Sequence, residues 1–79
     1  MTLADLLSTQ SRNALRKHFR KQPGILSHPQ EIADLGPKQI ACAAGIGTAS
    51  MKEIALALYE LGTIKRNDAW LKPYLDELT

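Results

Sequence analysis

Cysteine is nearly absent from this sequence. Cys42 is the only one, so a disulfide within the chain is excluded, and its alanine neighbours lead us to expect a small buried core residue. Long apolar runs are absent too. The longest, over residues 40–46, is far too short to cross a bilayer, so we expect no membrane partner. No basic stretch followed by an apolar one opens the chain, so we expect no signal peptide and a cytoplasmic location.

Residue patterns that support catalysis or metal binding are also missing. His18 and His28 have no cysteine or carboxylate at ligand spacing, so we predict neither a metal site nor a cofactor. No nucleophile and base stand at a recognisable spacing. The 79 residues are enough for one domain, residues 1–79, without a deep substrate pocket. The sequence therefore predicts a protein that is not an enzyme and has no small-molecule substrate.

Positive charge is concentrated in one stretch of the chain. The net charge is only +2, yet half of the 10 lysines and arginines lie between Arg12 and Lys21, where no acidic residue occurs. Arg12, Arg16 and Arg20 follow one side of a predicted helix, with Lys17 and Lys21 beside them. Like charges at this spacing repel mildly, so helix stability does not explain the pattern. A solvated face is one explanation, but the imbalance favours an anionic partner.

N-cap, proline and glycine signals divide the chain into short helices, and no strand pattern occurs. The predicted fold class is all-α, a compact bundle of five or six short helices. The first predicted segments are a capping-box turn over residues 2–7 and a helix over 9–21, capped by Ser8 and ended by Pro23-Gly24. The next helix has Ser27 as its cap and Pro29 in its first turn, runs to about Leu35, and buries Ile32 and Leu35. The remaining segments are 37–43, 48–61, 68–71, and a restart at Pro73 to Leu78. We expect Trp70 to anchor the C-terminal segment on the core.

A glycine turn joins the helical patterns over residues 37–43 and 48–61. Gly45 and Gly47 flank Ile46, and because glycine accepts positive φ, both are predicted to turn the chain with Ile46 buried. The helix after the turn would present free N–H groups with a partial positive charge that suits a phosphate. This is the pattern of a helix-hairpin-helix over about residues 37–61, a motif that grips nucleic-acid backbone. A purely structural turn between core helices is the alternative.

Three segments carry a resemblance to a known family. They are the first-helix motif Leu7-Ser8-Thr9-Gln10-Ser11-Arg12-Asn13-Ala14-Leu15-Arg16, the middle positions Glu31-Ile32 and Ile40-Ala41, and Gly45-Ile46-Gly47 followed by Ser50-Met51-Lys52-Glu53-Ile54. Together they resemble the C-terminal domain of the bacterial RNA polymerase alpha subunit, a helical domain of SAM-like fold that contains a helix-hairpin-helix. The likeness covers about residues 6–61, with extra residues between 19 and 30.

The resemblance implies DNA binding across the minor groove, through the starts of the first helix and of the helix after the glycine turn, and contacts with transcription activators. The family's arginine near the start of the first helix is Gln10 here, and its lysines after the second glycine are Thr48 and Ala49. Nearby basic residues could compensate. The candidate DNA-binding residues are Ser11, Arg12, Asn13, Arg16, Gly45, Gly47, Thr48, Ser50 and Lys52.

Two functions fit these observations. The first is a small DNA-binding module that holds the backbone with weak sequence preference, in transcription or its regulation. The second is a protein-interaction domain of the same fold that contacts transcription machinery, such as RNA polymerase or a transcription factor, and has lost DNA binding. In the second case the basic helix would face an acidic protein surface.

Overall fold

The computed structural model describes residues 2–22 and 24–77, and over these ranges the chain is helical, with no strand. The α-helices are α1 Leu3–Leu6, α2 Thr9–His18, α3 Pro29–Leu35, α4 Pro37–Ala41, α5 Thr48–Glu60 and α6 Asn67–Glu77, and a 3-10 helix spans Ile25–Ser27 between α2 and α3. The predicted all-α fold is confirmed. Two predicted helix ends lie outside the described residues. They are Pro23, after the helix predicted over residues 9–21, and Leu78, at the end of the C-terminal helix.

The core is built around α5. Its buried residues recur at helical spacing, and α6, α4 and α1 pack against it. The large side chains with almost no solvent exposure come from five of the helices: Leu3, Leu15, Ile32, Ile40, Met51, Ile54 and Leu58. This core fixes the first two helices and the hairpin relative to one another.

The first two helices begin as predicted, but α2 ends early. Ser8 Oγ accepts a hydrogen bond from the backbone N–H of Ser11, which caps α2. At the other end, Phe19 leaves helical geometry at φ −104° and ψ 35°. Its half-buried ring packs against the core, and its carbonyl accepts a bond from the N–H of Gln22 at 2.7 Å, which turns the chain away. Arg20 therefore lies in a turn beyond the helix, not on it.

The segment before α3 differs from the prediction. Ser27 does not cap α3, because residues Ile25–Ser27 form the 3-10 helix and His28 stands at the N-cap without a side-chain hydrogen bond. Leu35, which we predicted to be buried, is 41% exposed. The helix directs Ile32 into the core and ends at Leu35, whose side chain borders an open groove.

Helices α4 and α5 occupy the positions of the predicted helix-hairpin-helix and are joined by residues 42–47, which we call the hairpin turn. Of its two glycines, Gly45 alone has positive φ, at 87°. Gly47 has φ −106° and ψ −170°, which is extended backbone open to any residue, so the prediction for Gly47 was wrong. Ile46 is half-buried at the edge of the core, whereas we expected full burial.

Cys42 is exposed, contrary to the expectation of a buried thiol. It stands at the C-cap of α4, and its Sγ lies 3.4 Å from the carbonyl oxygen of Lys38 one turn earlier. Ala43 takes the buried position next to it, with 3% of its surface exposed. The end of α4 therefore places the smaller side chain inside and the thiol outside.

Helix α6 runs unbroken through Pro73, where we predicted a restart. Pro73 and Ala69, whose carbonyl loses its helical hydrogen bond to the proline, both face solvent, so water can satisfy that carbonyl. Trp70 anchors the helix as predicted: it is half-buried, and its Nε1 donates to the carbonyl of Ala33 in α3 at 3.1 Å.

Candidate nucleic-acid interface

The hairpin turn rests on the middle of α2. A Cβ placed at Gly45 would lie 3.6 Å from the Cβ of Ala14, an ordinary van der Waals distance. At the start of α2, the backbone N–H of Ser8 donates to Oε1 of Glu53 in α5. The structure thus brings together the first long helix and the hairpin, the two elements that the sequence singled out.

Two of the candidate residues on α2 are engaged within the protein. Ser11 has none of its surface exposed, and its Oγ lies 3.2 Å from the Oγ of Ser8. A duplex cannot reach its side chain in this conformation, so we remove Ser11 from the candidate interface. Arg12 is half-buried and donates from Nη2 to Oγ1 of Thr9 at 3.0 Å. Its Nε is buried and has no hydrogen-bond partner among the described residues.

Arg12 also acts on a nearby carboxylate. Hydrogen bonds from the backbone and the side chain of Thr2 hold the pKa of Asp5 below its ordinary value, and the positive charge of Arg12 adds a smaller lowering. Its hydrogen bond to Thr9 and its partial burial make Arg12 less available to an external anion than the exposed basic residues that follow it. Asn13 is exposed, as the resemblance requires.

The second half of α2 and the turn after it form a cationic cluster, which we define as Arg16, Lys17, Arg20 and Lys21. All four side chains are exposed. Within the part of the chain that the structure describes, none of them forms an ion pair or a side-chain hydrogen bond. The ion pairs in that part join Lys38 to Glu77 and Arg66 to Asp68. Their charge is therefore directed to solvent or to a partner.

The hairpin candidates surround the start of α5. Gly47 is the N-cap and supplies no side-chain acceptor, so the first N–H groups of α5 have no side-chain cap. Thr48 is exposed, and its Oγ1 lies 3.2 Å from the hydroxyl of Tyr74 in α6. Ser50 is half-buried and Lys52 is exposed. Gly45 is also exposed.

Sequence reasoning missed two residues at these helix starts. Glu53 places a carboxylate beside the start of α2, where the resemblance implies a DNA contact, and Tyr74 covers part of the start of α5. Each meets its partner across a long sequence separation, 45 residues for Ser8–Glu53 and 26 for Thr48–Tyr74. No local sequence signal marks such a pair, so only the folded arrangement reveals them.

A groove lies between the cationic cluster and the hairpin turn. It is lined by Ala14, Lys17, His18, Arg20 and Ala44 and has a volume of about 370 Å³. Within residues 2–22 and 24–77, no three His, Cys, Asp or Glu side chains come together in a way that could hold a metal ion. The groove therefore offers positive charge and hydrogen-bond donors, which suit an anionic group.

Comparisons with protein-family models, with curated proteins and with solved structures give no match for this chain. Separately, no helix among the described residues has the length and apolar character needed to cross a membrane.

Proposed function

We propose that this chain is a small DNA-binding module, not an enzyme, that grips the DNA backbone through the helix-hairpin-helix and the basic face of α2, in bacterial transcription or its regulation. The observation that supports this most strongly is the cationic cluster. It holds four exposed cations without a partner in the described part of the chain, on a protein whose net charge is only +2. Two of them, Lys17 and Arg20, line a groove together with Ala44 of the hairpin turn.

The chemistry of these groups favours backbone over base contacts. Lysine and arginine side chains neutralise phosphates and release counterions, a term that does not depend on sequence. The uncapped start of α5 adds a partial positive charge near Lys52. With a few phosphate contacts, we expect an affinity at physiological salt that is micromolar or weaker, on the order of 10⁻⁶ to 10⁻⁴ M.

Duplex titration over a series of salt concentrations tests this proposal. The parent protein is compared with the double variant Arg16→Ala, Lys21→Ala and with a charge-matched control, Lys65→Ala, Lys72→Ala, which removes two exposed lysines outside the cluster. We expect the affinity of the parent for duplex to fall steeply with salt. A plot of log affinity against log salt concentration should have a slope of roughly −0.9 for each phosphate contact. The cluster variant should show a shallower dependence than the control. No binding of the parent to any duplex at low salt would exclude the proposal.

A second candidate function is supported by the outer face of α5. Leu56 and Tyr59 are 47% and 49% exposed, and Leu56 lines a shallow groove with Leu6, Glu53 and Glu60. Exposed apolar side chains in a polar rim are typical of protein-binding surfaces. This face would suit a protein-interaction domain that contacts RNA polymerase or a transcription factor.

Binding to purified bacterial RNA polymerase holoenzyme tests the second candidate. Leu56→Asp should abolish binding if the outer face of α5 makes the contact, with little effect on folding because Leu56 is half exposed. The double variant Arg16→Ala, Lys21→Ala should weaken it if the basic helix meets an acidic protein surface. Polymerase binding in the absence of duplex binding would favour this candidate over the first.

A further inference from the structure

The groove beside the hairpin turn combines positive charge with small side chains. Lys17, His18 and Arg20 supply the polar lining, and Ala14 and Ala44 supply the rest. Because both alanines are small, a ligand in the groove can come close to the backbone of α2 and of the turn. No acidic residue lines it among those that the structure describes. The side chains that line the groove therefore carry a net positive charge.

Local structure fixes the backbone that carries His18 and Arg20. The rings of His18 and Phe19 pack edge to face, with centroids 4.7 Å apart and an interplanar angle of 88°. The Phe19 N–H donates to the carbonyl of Leu15 at 2.9 Å, which joins the turn to α2. His18 and Arg20 therefore project from a hydrogen-bonded segment that Phe19 ties to the core. A backbone that is already fixed in this way loses less conformational entropy when a ligand binds.

Helix stabilisation explains only part of this arrangement. Basic residues in the last turn of a helix interact favourably with its free carbonyl groups. Arg16, Lys17 and His18 lie in the last turn of α2, and the charges of Arg16 and Lys17 suit this role. Arg20 lies one residue beyond the C-cap Phe19 and lines the same groove, where it adds a third polar side chain.

The start of α2 is a poorer place for a phosphate. Ser11 is buried there, and the carboxylate of Glu53 accepts the hydrogen bond from the N–H of Ser8. A phosphate at this end would meet a negative charge and an N–H group that is already bonded. The opposite end of α2 has the free cations.

We propose that the groove seats one phosphate group of a nucleic-acid backbone, held by the charges of Lys17 and Arg20 and by a hydrogen bond from the His18 ring. The inference rests on the proposed DNA-binding function and moves the main backbone contact from the start of α2 to its C-terminal end. Arginine and lysine donate charge-assisted hydrogen bonds to phosphate oxygens, which suit this lining.

Three double variants of the full chain, each of which loses two positive charges, test the assignment. The groove variant combines Lys17→Ala with Arg20→Ala. The second variant, Arg16→Ala with Lys21→Ala, changes residues elsewhere in the cluster. The third, Lys65→Ala with Lys72→Ala, changes residues outside it. Binding of a labelled duplex is measured by fluorescence anisotropy at several salt concentrations, and circular dichroism checks that each variant is folded. The groove variant should lose the most affinity, and its log–log salt slope should be shallower by roughly 1.8, from two contacts of 0.9 each.

The outcomes separate this inference from the proposed function. If the parent binds and the groove variant behaves like the Arg16, Lys21 variant, the groove is not a phosphate site, although DNA binding stands. If the parent binds no duplex at low salt, both fail. Competition identifies the phosphate source: inorganic phosphate should displace duplex from the parent better than chloride at equal ionic strength, and equal displacement would overturn the assignment. An Ala44 amide signal that shifts with inorganic phosphate and not with duplex would overturn the nucleic-acid source.

Discussion

The carboxylate of Glu53 accepts a hydrogen bond from the backbone N–H of Ser8, so the second turn of α5 holds the start of α2. This contact joins the hairpin to the first long helix through groups 45 residues apart in sequence. It also places a negative charge at one end of the surface that we propose for DNA.

Replacement of Glu53 by glutamine should raise duplex affinity at low salt. Glutamine keeps an acceptor for the Ser8 N–H but removes the charge that repels phosphate, so stability should change little. Glu60→Gln is the matched control, because it removes the same charge from α5 roughly 10 Å farther along the helix axis. Fluorescence anisotropy with a labelled duplex measures the difference. Equal gains for both variants would mean that the duplex does not approach the start of α2.

The two hairpin glycines should respond differently to alanine. Gly45 has φ 87°, so Gly45→Ala should lower the free energy of unfolding by about 1–2 kcal/mol. Gly47 is extended and has open space around its Cβ position, so Gly47→Ala should change stability by less than about 0.5 kcal/mol. Urea titration of both variants and the parent gives the comparison. A larger loss for Gly47→Ala would contradict the turn geometry described above.

Acid should weaken the contribution of the α1 capping box. Hydrogen bonds from Thr2 hold the folded-state pKa of Asp5 below 3.8, its ordinary value. A group with a lowered folded-state pKa stabilises the protein above its ordinary pKa, and this contribution disappears as the pH falls through the folded value. Asp5→Asn should therefore cost stability near neutral pH, and the difference from the parent should shrink below pH 3.8. A difference that does not vary with pH would exclude this contribution.

The exposed thiol of Cys42 should react in the native state. Its side chain faces solvent at the C-cap of α4, so a thiol reagent should modify it fully under conditions in which the protein stays folded. Mass spectrometry counts the added groups, and circular dichroism confirms the fold. Modification that requires denaturant would contradict the exposed position.

Local signals predicted the helices better than they predicted what packs beside them. Caps such as Ser8 act within one turn, so the starts of α1 and α2 could be read directly from the sequence. The early end of α2 depends on the packing of Phe19 against the core. The prediction that Leu35 is buried was wrong because no element among the described residues covers its side chain. The unbroken α6 depends on Pro73 facing solvent.

In the candidate site too, the sequence predicted local features but not those that depend on packing. The basic character of residues 12–21 and the glycine turn are visible in the sequence. The sequence does not show which cations are free. Arg12 and Arg16 have the same character in the sequence, and the structure distinguishes them because Thr9 and Asp5 lie beside Arg12. The groove also requires Ala44 to lie next to α2, a relationship that only the packing of Gly45 on Ala14 establishes.

The bond between Trp70 Nε1 and the Ala33 carbonyl gives the protein an internal optical reporter. Trp70 is the only tryptophan, and it stands where α6 docks on α3. Its fluorescence therefore follows the C-terminal helix, whereas far-ultraviolet circular dichroism follows all the helices. If α6 undocks before the hairpin and α2 unfold, the emission change will precede the loss of ellipticity, and coincident curves will mark a single cooperative unit.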